Sequence, residues 1–203
     1  MRWAYSDAWG LDARDTGTRS NDYPHDVPEA DIYVGNDVST DDQPSLYSTL
    51  LPIPPEIRAY VITILNQTLA CTVDLRSHVK QATWNMKGTD VLQLQALFAT
   101  IATELEAYSD LVAERIALLG GIVRGTVRMA ATQSRLLEYP DDLVEGHEHV
   151  RALAERIAHY VLAVRSDIVH ATDVEEVTTA AVYTDIARGV EKRLGTLEAY
   201  LYH

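Results

Sequence analysis

Asp110 and Glu114 are the residues of this 203-residue chain whose types and spacing best suit chemistry. They stand four positions apart in the run Tyr108-Ser109-Asp110-Leu111-Val112-Ala113-Glu114-Arg115-Ile116, so any helix through them carries both carboxylates on one face. In helical bundles such acids, projected from facing helices, hold metal ions. The same spacing also serves two solvated acids that merely repel each other. Upstream, Trp84-Asn85-Met86-Lys87-Gly88 reads as the aromatic end of a preceding helix closed by glycine.

The elements that position these acids follow from hydrophobic period. From Pro54-Pro55-Glu56, a proline-plus-acid helix start, apolar residues recur at 3.6-residue spacing through Ile57, Val61, Leu65, Leu75 and Val79, and Gly88 marks the stop. A second helix is predicted over Val91–Leu119, with Leu94, Phe98, Ile101, Leu105, Val112 and Ile116 on one face and Gly120-Gly121 ending it. A short helix near Val127–Arg135 falls in a long connection. Asp142 or Glu145 starts a third long helix over about Gly146–His170, and a fourth covers about Val174–Tyr202. Four long helices with one long crossover make an all-α chain of ferritin-like four-helix bundle topology, with a short helix in the crossover.

Residues 1–53 break this pattern and read as an extended N-terminal arm ahead of a bundle domain at 54–203. The first fifty residues hold ten acids against three bases and keep no period, with turns at Tyr23-Pro24, Gly35-Asn36 and Gln43-Pro44. Trp3, Tyr5, Trp9, Tyr23, Tyr33 and Tyr47 are more aromatics than a solvated tail carries, so part of the arm is expected to lie against a neighbouring surface. A formal charge of −13 and no basic run argue against coating of DNA. Cys71 is the only cysteine and lies in an apolar helical stretch, which excludes an internal disulfide and points to a reducing compartment. No apolar run is long enough to span a bilayer and the opening residues lack a signal pattern, so a cytoplasmic protein is expected.

The runs Trp84-Asn85-Met86-Lys87-Gly88, Leu94-Gln95-Ala96-Leu97-Phe98, Asp110 to Ile116 and Leu119-Gly120-Gly121 resemble the Dps family, the DNA-binding proteins from starved cells, which are miniature ferritins. The likeness continues through Gly125-Thr126-Val127-Arg128-Met129-Ala130, Ser134-Arg135-Leu136 and Glu138-Tyr139-Pro140, and so covers roughly residues 54–203. The resemblance implies a cytoplasmic homo-oligomer, a dodecamer built from twofold pairs, that oxidises Fe(II) at sites between paired subunits and stores the Fe(III) mineral inside. In that pattern a histidine precedes the tryptophan, a second sits in the following helix, and an acid comes four residues later. Here those positions are Thr83, Gln95 and Ala99, while the acids of the Asp-x-x-x-Glu-Arg motif are kept as Asp110 and Glu114. The candidate metal residues are therefore Thr83 and Gln95 from one subunit with Asp110 and Glu114 from its mate.

Loss of two imidazoles and one carboxylate removes good iron ligands and negative charge, so ferroxidase activity at this position is expected to be weak or absent. Another divalent metal at the half site, or a catalytically silent shell or partner-binding subunit, is the alternative. The resemblance also implies a threefold iron channel near Asp173, Glu175 and Glu176. The bland reading of that run is an acid-enriched helix start. Glu104 reads as an exposed or pore-unrelated acid, and His147-Glu148-His149 as a surface triplet whose i and i+2 side chains diverge. His78 lies five residues before Thr83, about 140° away around a helix. Family members that bind DNA carry lysine-rich tails, so twelve acidic arms would repel a polyanion and duplex DNA binding is not expected.

Overall fold

The computed structural model describes residues 46–201, which form five helices: α1 (Pro55–Asn85), α2 (Val91–Leu118), α3 (Val127–Gln133), α4 (Gly146–Asp173) and α5 (Val177–Leu201). The four long helices and the short one in the crossover agree with the periods read from the sequence. The arm up to residue 45, with its three turns and its aromatics other than Tyr47, lies outside the described residues. No helix among those described is long and apolar enough to cross a membrane.

Short links make two hairpins, α1 with α2 and α4 with α5, and α1 also packs on α4. The buried stripes of all four long helices meet in one core, with Leu65 and Leu75 of α1, Phe98 and Leu105 of α2, Ile157 and Tyr160 of α4, and Tyr183 and Ile186 of α5 almost fully enclosed. At roughly 1.5–3 kcal/mol per large buried side chain, this shared stripe is what holds the hairpins together.

The helix ends differ in instructive ways. α1 stops at Asn85, three residues before Gly88, because Met86 is already extended (φ −64°, ψ 143°) and Lys87 pairs with the start of α4. Lys87 N–H donates to the Val144 carbonyl at 2.8 Å, and Gly146 N–H donates to the Lys87 carbonyl at 3.2 Å. Glu145 caps the start of α4, and its N–H donates to the Glu148 carboxylate at 3.0 Å as in a capping box. α2 ends in a Schellman turn. Gly120 takes the left-handed conformation (φ +80°), its N–H bonds Ala117, and Gly121 N–H bonds Ile116, both at 2.9 Å. The chain before α1 is fastened there, with Tyr47 N–H donating to the Gly120 carbonyl at 2.7 Å and Arg58 donating to the Leu119 carbonyl at 3.0 Å.

Candidate metal centre

α2 is amphipathic, and its outer face carries the acids. Asp110 and Glu114 are both exposed, as is Ala99, while Gln95 is half-buried. Fifteen helical residues separate Gln95 from Asp110, about 22 Å along the axis at 1.5 Å per residue. One chain therefore cannot close the four candidate residues around one ion. Among the described residues, no group of three or more His, Cys, Asp or Glu side chains comes together as a metal site.

Thr83 is half-buried in the last turn of α1 and donates its hydroxyl to the Val79 carbonyl at 2.7 Å. Its proton is committed to the helix, and only a neutral oxygen lone pair remains for a ligand. Trp84 beside it is 71% exposed, with the Lys80 ammonium 5.9 Å from the ring centre. That apolar and aromatic exposure sits on the same end of the bundle as the exposed Leu92.

The acidic run after α4 divides. Asp173 and Glu175 are exposed, but Glu176 is buried and leaves the group. The cause is a second Schellman turn. Glu175, not glycine, takes the left-handed conformation (φ +60°), with Glu175 N–H on Thr172 at 2.9 Å and Glu176 N–H on Ala171 at 2.8 Å. That turn points Glu176 inward, where it accepts from Arg115 Nη2 at 2.6 Å, from the Thr179 N–H at 3.2 Å and from the Thr179 hydroxyl. Arg115 Nε donates to Thr179 Oγ1 at 3.0 Å. Burial alone would raise the Glu176 carboxyl, but the Thr179 and Arg115 hydrogen bonds and the Arg115 charge outweigh it and hold the group below the usual carboxylate range. The arginine of the Asp-x-x-x-Glu-Arg run thus fastens α2 to the start of α5.

The structure also gives surroundings to Glu104 and to the His147–His149 run. Glu104 is half-buried and forms a two-pronged pair with Arg193 of α5, with Arg193 Nε 2.6 Å from Glu104 Oε2. Its hydrogen bond from Arg193 holds the carboxyl low. His149 is buried although His147 is exposed, because it lies in phase with Leu153, Ile157 and Tyr160 on the core face of α4.

A bundle of two helical hairpins joined by a long crossover, with acids displayed on its second helix, defines a ferritin-like subunit. Residues 62–203 match the ferritin-like domain family. The chain is 34% identical over 155 residues to the DNA protection during starvation protein of Agrobacterium fabrum, covering 76% of this chain and 96% of that one. It is 25% identical over 149 residues to the protein of the same name from Brevibacillus brevis, covering 71% and 97%. Among solved structures, DpsA14 from Streptomyces coelicolor superposes with a TM-score of 0.74 at 23% identity, covering 78% of this chain and 94% of that one. The Dps protein of Vibrio cholerae, described as a member of the ferritin-like diiron-carboxylate superfamily, gives 0.71 at 23% identity, covering 76% and 96%. The chain belongs to the Dps miniature ferritins within the ferritin-like family.

Proposed function

We propose that this protein is a miniature ferritin subunit that takes up and stores iron and protects against oxidative damage, with an altered ferroxidase site shared between two subunits. The observation that carries the shared site is the outer face of α2. An antiparallel twofold pairing that sets Gln95 of one copy opposite Glu114 of the other also sets Ala99 opposite Asp110. The same pairing brings Leu92, 82% exposed, close to Leu118, 61% exposed, at the two ends of the seam. One operation thus covers exposed leucines and joins the separated halves of the site, as an isologous interface requires.

The pooled donors would be two carboxylates, one amide carbonyl and one hydroxyl. All are hard oxygens and no imidazole is among them, so Fe(II) is held less well than in a histidine-containing set. Oxidation of a pair of ferrous ions is therefore slow at this position. Asp173 and Glu175 supply carboxylates for an iron-inlet channel, and assembly to a cytoplasmic dodecamer completes the reading. The replaced positions Thr83, Gln95 and Ala99 also favour a second reading, a shell subunit that stores iron oxidised elsewhere and has no ferroxidase activity of its own.

Anaerobic Fe(II) loading followed separately by oxygen and by peroxide tests both. Thr83→His with Gln95→His is expected to raise the oxidation rate by at least about ten-fold, the equivalent of ~1.4 kcal/mol. No gain in the double variant refutes the pairing of α2 faces. A wild type with no rate above free iron in solution, but with a gain in the variant, selects the silent shell. Metal analysis of the purified protein reveals any other divalent ion at the half site.

A further inference from the structure

The crossover between α2 and α4 is held to the bundle by a polar cluster that is buried and incompletely hydrogen-bonded. Tyr139 of the crossover contacts two imidazoles. His78 of α1 is tilted against it with ring centres 5.4 Å apart, and His149 of α4 is nearly parallel to it at 6.1 Å. The Tyr139 hydroxyl is 2.8 Å from His149 Nδ1. Arg156 of α4 sets its guanidinium 5.3 Å from the Tyr139 ring centre and donates to the Glu138 carbonyl at 2.5 Å. Asp74 of α1 completes the cluster, with Oδ1 3.3 Å from His78 Nε2 and Oδ2 accepting the Ser134 hydroxyl at 2.5 Å.

His78 is 6% exposed and His149 1%, and His78 Nδ1 and His149 Nε2 are buried without a partner. A neutral imidazole can keep such a nitrogen free of a proton. An imidazolium has two N–H donors, and here one of them would be buried unsatisfied. Charges on three elements face these rings. Around His78, burial opposes the charged form, Asp74 favours it, Arg156 opposes it and Glu138 favours it, and the net effect holds the ring below the ordinary histidine value. Around His149, burial again dominates and lowers the value against the favourable Glu148 carboxylate and Leu143 carbonyl. Tyr139, in contact with both, is pushed up by burial and stays neutral.

We propose that His78, Tyr139 and His149 form an acid-released latch that holds the crossover onto α1 and α4 while both imidazoles are neutral and lets it go when they take up protons. It goes beyond iron handling and rests on the protomer alone. Because the docked rings bind protons less readily than released ones, the latch is complete above about pH 6.5 and weakens as pH falls from there toward the lower docked values. Among the described residues these histidines belong to no group of three or more His, Cys, Asp or Glu side chains that could hold a metal ion.

Hydrogen-exchange mass spectrometry on the full chain tests this at about pH 7.5 and about pH 5, with rates corrected for intrinsic exchange. Peptides over 134–149 are expected to exchange on the order of ten-fold faster in acid, one pKa unit of linkage, while a peptide over 94–105 of α2 is unchanged. His78→Gln with His149→Gln keeps polar neutral groups and is expected to abolish the acid difference. Persistence of that difference in the double variant overturns the latch, and so does equal acceleration of crossover and α2 in the wild type. If the double variant does not fold, exchange of the imidazole C2 hydrogens in the wild type decides instead. Both rings titrating below about 6.5 supports the latch, and either ring titrating at or above it overturns the proposal.

Discussion

Replacing Glu176 with glutamine tests whether the acid after α4 is structural. The side chains of Arg115 and Glu176 are 8% and 6% exposed, and their atoms approach to 2.6 Å. The amide of glutamine can still accept a hydrogen bond, but it leaves the guanidinium enclosed without a counter-charge. Breaking a buried pair from one side costs about 3–5 kcal/mol. For a domain of this size each kcal/mol moves Tm by about 2–4 °C, so Glu176→Gln is expected to lower Tm by about 6–20 °C. Calorimetry at matched protein concentration is required, because the proposed assembly would also raise the apparent stability. Initial iron uptake per folded protein should stay near the wild-type rate. The pH dependence adds a second signature. The folded carboxyl lies below its unfolded value, so its contribution is complete above the ordinary glutamate range and is lost as pH falls through the folded value. The variant should lack that acid limb. A Tm drop below about 4 °C together with slowed uptake would refute the burial and return Glu176 to the proposed channel.

Glu175→Gly is expected to act the other way. It relieves a non-glycine residue at φ +60° and should raise stability by about 1 kcal/mol by calorimetry, while removing a carboxylate of the proposed inlet and slowing ferrous uptake by stopped flow. Gly189→Ala should cost about 1–3 kcal/mol in thermal unfolding, because its new methyl would overlap the Tyr108 hydroxyl, and Tyr108→Phe in the same chain should restore part of the loss. Tyr160→Phe should cost only about 1 kcal/mol by the same measurement. Tyr160 and Thr72 oxygens lie 2.6 Å apart, but the Thr72 hydroxyl keeps its bond to the Thr68 carbonyl at 2.7 Å.

What the sequence made legible and what it hid divide along a physical line. Burial of apolar groups is periodic and non-directional, so Leu65, Leu75, Phe98 and Leu105 announced α1 and α2 within a few residues of their ends. Even His149 was readable by that rule, since it shares a phase with Leu153 and Ile157, and the divergence of i and i+2 side chains that exposes His147 is what carries His149 into the core. Polar pairing is directional and depends on distant partners. Glu176 lies 61 positions from Arg115 and Glu104 lies 89 from Arg193, and no local pattern shows either pair. The end of α1 moved for the same reason, because Lys87 answers to Val144 and Gly146 rather than to Gly88. The proposed metal centre stands between these cases. The helical rise alone shows that Gln95 and Asp110 are too far apart to meet in one chain, which makes a second copy a geometric requirement of any four-ligand site. The hydroxyl of Thr83, bonded within its own helix, then decides the chemistry left to that site, and only the structure reveals that its proton is already spoken for.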